Sequence, residues 1–189
     1  MHYLCRAMQQ GKILLQDQRF ALTIERLCHQ LMEDLGDLSN VCLIGIQQGG
    51  VALSARIHER LLELSGLPAI SYGRLDITFY RDDFRRHDKP LSPHKNDMNF
   101  LVDNKKVLLI DDVLYTGRTI QAALAALQDY GRPESVELLA LVDRRFNRHL
   151  PIQADYIGLS VDAMDEAYVK VRWLENDGED SILLYDKKV

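Results

Sequence analysis

The stretch Lys106 to Thr119, KVLLIDDVLYTGRT, constrains what this chain can fold into more than any other. Val107 to Ile110 are consecutive apolar residues bounded by charge, the pattern of a parallel strand buried on both faces. Asp111 and Asp112 follow at once, then a short turn from Val113 to Gly117, and Arg118-Thr119 opens an apolar-periodic helix. Strand, acidic pair, glycine-containing turn and helix start are the parts of a phosphate site at the carboxyl end of a strand. Backbone N–H groups from Thr116 to Thr119 have no intrahelical acceptors and can turn to an anion, with the Thr116 and Thr119 hydroxyls beside them. The helix dipole adds roughly 0.3–1 kcal/mol for negative charge there. Neither a G-x-x-x-x-G-K-[ST] loop nor a G-x-G-x-x-G turn is present. The acidic pair would repel a bare phosphate, so it needs sugar hydroxyls or a divalent metal and its waters as partners. The pattern suits a phosphorylated sugar with free hydroxyls. The alternative is a strand end whose Asp residues merely cap the helix.

Around this segment, the spacing predicts alternating strands and helices. Ile13 to Leu15 reads as an edge strand. From Asp17, Phe20, Ile24, Leu27, Cys28, Leu31 and Leu35 recur at helical spacing until Gly36 stops the helix. Val41 to Ile46 reads as a buried strand, followed by Gln47-Gln48-Gly49-Gly50 and a helix from about Val51 to Leu64. Paired glycines allow a tight turn and a close approach to a ligand, although a plain strand-to-helix turn is the simpler reading. Ala69 to Tyr80 alternates as a strand with Leu75, Ile77 and Phe79 on one face. Arg81 to Asn99 breaks every pattern and carries Arg85, Arg86, Lys89 and Lys95; it reads as a functional loop or a solvated charge run. After the central motif, Ile120, Ala123, Leu124 and Leu127 form one helix face, ended by Gly131 and Pro133. Val136 to Val142 is a further buried strand, and Asn176-Asp177-Gly178 between Tyr168–Leu174 and Ser181–Tyr185 signals a hairpin. The order implies an α/β fold with a mostly parallel sheet flanked by helices, its binding crevice at the strands' carboxyl ends. That topology sets Gln47 to Gly50, Asp111 to Thr119 and Asp143-Arg144 on one rim.

The chain's 189 residues suffice for one domain with a full core. No apolar run reaches membrane-span length, and the start lacks a signal-peptide core, so no membrane partner and a cytoplasmic location are expected. Cys5, Cys28 and Cys42 read as reduced thiols. A net charge of −5 does not suggest general affinity for nucleic acid.

VLLIDDVLYTGRT resembles the phosphoribosyl-pyrophosphate (PRPP) motif of type I phosphoribosyltransferases, and the longer string resembles one branch, the pyrimidine operon regulator (PyrR) family. LDITFYRDD from Leu75, YGRP from Tyr130 and LVDRRFNRHLPIQADYIG from Leu141 agree with it. The resemblance implies a type I phosphoribosyltransferase fold spanning 1–189 as a single domain, with a mobile loop at about 81–99 and a small hood and C-terminal β-hairpin at about 143–189. It implies uracil phosphoribosyltransferase activity, Mg²⁺ carried by PRPP rather than held by the chain, and a homodimer or homotetramer. PRPP would be bound by Val107, Leu108, Leu109, Ile110, Asp111, Asp112, Val113, Leu114, Tyr115, Thr116, Gly117, Arg118 and Thr119, with Asp111 and Asp112 catalytic. Gln47, Gln48, Gly49 and Gly50 would form the pyrophosphate loop, through a peptide that is often cis in the family; Gly49 stands where many family members have a basic residue. Val142, Asp143 and Arg144 would bind the base, in a segment where Arg145 to His149 holds one residue more than the common spacing.

Two further readings follow from the same resemblance. One is a UMP-sensing protein that binds pyr leader RNA, with little or no enzymatic activity, through Arg26, His29, Arg144, Arg145 and Arg148; Glu25, where the family has Thr, opposes it. The other is a purine phosphoribosyltransferase that shares only the fold, against which LDITFYRDD argues.

Overall fold

In the computed structural model, which describes residues 11–81, 97–163 and 167–186, the apolar run of the central motif is the middle strand of a parallel sheet. Its strands are β2 (Val41–Ile46), β3 (Ser71–Leu75), β4 (Lys106–Leu114), β5 (Ser135–Arg145) and β6 (Tyr156–Asp162), in the order β3-β2-β4-β5-β6. Successive β4 side chains serve opposite faces, as the pleat requires. Leu108 and Ile110 enter one core with Phe20, Leu27, Leu53 and Ile57, while Val107 and Leu109 enter the other with Ile120, Ala123 and Leu127. Helices α1 (Asp17–Leu35) and α2 (Gly50–Ser65) therefore cover the first face and α3 (Arg118–Leu127) the second. Both faces being covered explains why β2 is buried along its whole length.

A second, antiparallel sheet has the order β1-β8-β7, from β1 (Lys12–Gln16), β7 (Tyr168–Arg172) and β8 (Ser181–Tyr185). Leu15, Val169, Val171, Trp173 and Ile182 join the α1–α2 core, and Phe20 meets the Trp173 ring edge-on at 5.4 Å. Arg56 of α2 locks this sheet down: it donates to both carboxylate oxygens of Glu175 and of Asp180, at 2.8–2.9 Å, and lies 5.1 Å over the Trp173 ring.

The structure differs from the sequence reading in five places. The strand expected from Ala69 to Tyr80 stops at Leu75, because the Asp76 carboxylate accepts from the Thr78 N–H (2.8 Å) and hydroxyl (2.5 Å) and turns the chain; Phe79 is left 65% exposed. β4 runs on to Leu114, so Asp111 and Asp112 sit inside a strand and not beyond its end. On α3, Leu124 faces outward, and Ala122 and Ala126 take its place in the core. The link between β7 and β8 is a helical turn, α4 (Leu174–Asp177), closed by left-handed Gly178, not a two-residue Asp-Gly turn. The hairpin is also not alone, since β1 adds a third strand to it. Arg85, Arg86, Lys89, Lys95 and Cys5 lie outside the described residues.

Candidate active site

The sheet's register assembles the site. Gly45 lies beside Ile110, Asp111 beside Ala140 and Leu114 beside Asp143, so the carboxyl ends of β2, β4 and β5 meet. Val107 to Ile110 are buried in the two cores, on the strand that leads to the acidic pair. Val142 is likewise buried and paired on both sides, to Val113 and Leu159.

After β2 the chain turns through Gln47 and Gln48, whose peptide bond is cis, and the Gln47 N–H donates to the Leu75 carbonyl at 2.9 Å. A Cβ added at Gly49 would lie 2.2 Å from Asp112 Oδ1, and one at Gly50 would lie 2.1 Å from the Ile110 carbonyl oxygen. Gly50 is thus required by its close approach to the β4 backbone, whereas a side chain at Gly49 would displace the Asp112 carboxylate.

Asp111 is buried and accepts the Asp112 N–H at 3.1 Å. Burial, then the charge of Asp112, pushes the Asp111 carboxyl well above the usual range, against the pull of the Asp112 N–H and the Arg81 charge. Burial also raises Asp112, against bonds from backbone N–H groups and from Asp111. Two acids that resist ionisation side by side make a site receptive to a cation or to a ligand rich in hydroxyl donors. Neither carboxylate caps α3: its N-cap is Gly117, at φ +90° and without a side-chain cap, which removes the simpler reading of the acidic pair.

Beyond Leu114, Tyr115 to Gly117 make the turn into α3, and the Arg118 N–H donates to Thr116 Oγ1 at 3.4 Å. Asp112 borders two cavities. The larger, about 1090 Å³, is lined by Gln47, Gln48, Gly49, Ala52, Arg74 and Trp173 among others. The smaller, about 280 Å³, lies between Tyr115 and Arg144 on one side and Tyr168 to Val171 on the other. There the Arg144 guanidinium stands 3.9 Å over the Tyr115 ring. Asp143 is buried and paired with Arg148. Sequence reasoning named Tyr115 and Arg144 separately but missed their stack, and missed Arg74 beside the larger cavity, because these meetings depend on tertiary packing. Among the described residues, no group of three or more His, Cys, Asp or Glu side chains gathers to hold a metal, and no helix is long and apolar enough to cross a membrane.

The residues weighed for RNA divide between two places. On α1, Arg26 donates to the Ile157 and Gly158 carbonyls, and His29 meets Glu25, which also takes a fork from Arg60. At the end of β5, Arg145 forks onto Asp162, and Arg148 turns inward to Asp143.

A family model described as the phosphoribosyl transferase domain matches residues 10–176. The proteins named bifunctional protein PyrR from Bacillus cereus and Bacillus thuringiensis subsp. konkukian are 40% identical over 182 residues, which is 95% of this chain and 100% of theirs. The chain belongs to the phosphoribosyl transferase family, among the PyrR proteins. It is a phosphoribosyltransferase by that membership. Solved hypoxanthine phosphoribosyltransferases show the same fold: that of Staphylococcus aureus at 23% identity and TM-score 0.68 (93% of this chain, 92% of that one), and that of Trypanosoma cruzi at 17% and 0.69 (95% and 98%).

Proposed function

We propose that the chain transfers the phosphoribosyl group of PRPP to N1 of uracil, giving UMP and pyrophosphate. The observation that carries this reading is the placement of Asp112 between two cavities, a large one beside the Gln47–Gly50 turn and a small one at Arg144. A donor sugar held at the acidic pair then has its leaving group on one side and its acceptor base on the other.

The C1–oxygen bond to pyrophosphate breaks, the C1–N1 bond forms, and the N1 proton leaves to solvent. Charge develops on the ribose, so positioned carboxylates supply most of the catalysis. Asp111 and Asp112 hold the ribose hydroxyls, Thr116 to Thr119 the 5′-phosphate, and Gln47 to Gly50 the pyrophosphate. Asp143 and Arg144 frame the base. Mg²⁺ carried by PRPP would neutralise the charge of the pyrophosphate, and the reluctantly ionised carboxyls of Asp111 and Asp112 would fit a cation brought in this way. Calorimetric titration with PRPP and Mg²⁺ tests the site. Saturable heat and thermal protection below millimolar donor are expected, and no response at millimolar donor would refute the reading.

A second role, UMP-dependent binding of pyr leader RNA, is what the resemblance to the PyrR family implies beside catalysis, and the relatives are named bifunctional. Salt-dependent retention of a leader transcript with and without UMP tests it. A flat curve at low salt would remove it.

A further inference from the structure

We infer that Arg148 is a positioning residue that couples the pyrimidine end of the crevice to its phosphate loop. The inference rests on the uracil reading above and adds a residue to it. An anion site built from backbone N–H groups needs the neighbouring carbonyl oxygens held elsewhere, since their lone pairs would repel the ligand. In the turn after β4 this is done from the segment that follows β5. The Arg148 guanidinium donates to the Tyr115 carbonyl, and the His149 N–H donates to the Thr116 carbonyl at 3.0 Å.

The same guanidinium binds the Asp143 carboxylate, whose side chain is 9% exposed, so one half-buried fork spans both halves of the site. Arg144, next to Asp143, stacks on the ring of the same Tyr115 inside the smaller cavity. Tyr115 is therefore gripped by its ring at the base pocket and by its carbonyl at the phosphate turn. A ligand that settles the ring also settles the turn, and Arg148 carries the connection. A lysine cannot replace it, because an ammonium lacks the planar fork that reaches two acceptors at once.

The test compares binding of UMP, uridine and ribose 5-phosphate by calorimetry or ligand-observed NMR. The quantity read is the association constant of UMP divided by the product of those for uridine and ribose 5-phosphate. In Arg148→Ala and Arg148→Lys this ratio is expected to fall at least tenfold from the unsubstituted protein. A loss of fold stability alone would not lower it, since a reduced folded fraction enters the product twice and UMP binding once, and the lysine variant decides the matter if the alanine variant fails to fold. A ratio within threefold of the original in the folded variants would overturn the coupling while leaving the uracil reading intact. Failure of the unsubstituted protein to bind UMP would overturn both.

Discussion

Gly49 and Asp112 are so close that a methyl group on the first would sit 2.2 Å from a carboxylate oxygen of the second. The turn after β2 and the acidic pair of β4 thus define one surface, and the missing side chain at 49 leaves Asp112 room for its rotamer. The neighbouring Gly50 is set against backbone, at 2.1 Å from the Ile110 carbonyl. Substitution should separate the two. In Gly49→Ala the carboxylate swings away, so kcat/KM for PRPP should fall about 100-fold while stability drops by less than about 1.5 kcal/mol. In Gly50→Ala the rigid backbone cannot yield, and a stability loss of about 3 kcal/mol is expected. Urea unfolding beside steady-state kinetics checks both.

Replacing Asp112 with Asn should lower kcat/KM for PRPP by about 100-fold or more, since the group faces the developing charge. Its urea midpoint should move little, because the carboxyl borders the cavities and does not cap α3. Equal losses in activity and stability would reduce Asp112 to a structural role.

Asp111 carries the clearest pH dependence. Burial raises its carboxyl above the ordinary 3.8, so the folded protein keeps a proton that the unfolded chain gives up. Its contribution to stability is full below the ordinary value and is lost as pH rises towards the folded value. Asp111→Asn retains an oxygen for the Asp112 N–H and has no charge to bury. The variant's thermal midpoint should match the original near pH 3.5 and exceed it increasingly towards pH 7, while its turnover falls. Scanning fluorimetry across that range checks it, and a midpoint lower than the original at pH 7 would contradict the assignment.

The antiparallel sheet is fastened by Arg56. Arg56→Ala should cost about 1–3 kcal/mol and raise exchange of the β7 and β8 amides before that of β4. For Asp180, burial pushes the carboxyl up, but the bonds from Arg56 and the Leu174 N–H win and hold it below its ordinary range. That stability is present above the unfolded value and lost as pH falls through the folded one. Acid should therefore loosen the antiparallel sheet in the original protein, and Arg56→Ala should blunt this response. Hydrogen exchange at two pH values measures it.

Much of this was legible in the chain because local periodicity and burial agree. Val41–Ile46 has the same ends in sequence and structure, and Phe20, Leu27 and Leu31 of α1 face the core as their spacing requires. The peptide expected to be cis, by family resemblance, is cis. What escaped depends on side chains or on distant pairing. Asp76 ends β3 through its own carboxylate, against an alternation that runs on to Phe79. Pairing of β1 with β8 joins the two ends of the chain, which no local window contains. The fork of Arg148 onto Tyr115 and Asp143 depends on the path of the segment after β5, and from the sequence that arginine reads only as a contact for RNA.

The most direct test of the account is pyrophosphate release from PRPP and Mg²⁺ with uracil, hypoxanthine and guanine offered separately. The account predicts release that depends on uracil, with UMP formed in equal amount, and background rates with either purine. Release with hypoxanthine or guanine and none with uracil would contradict it.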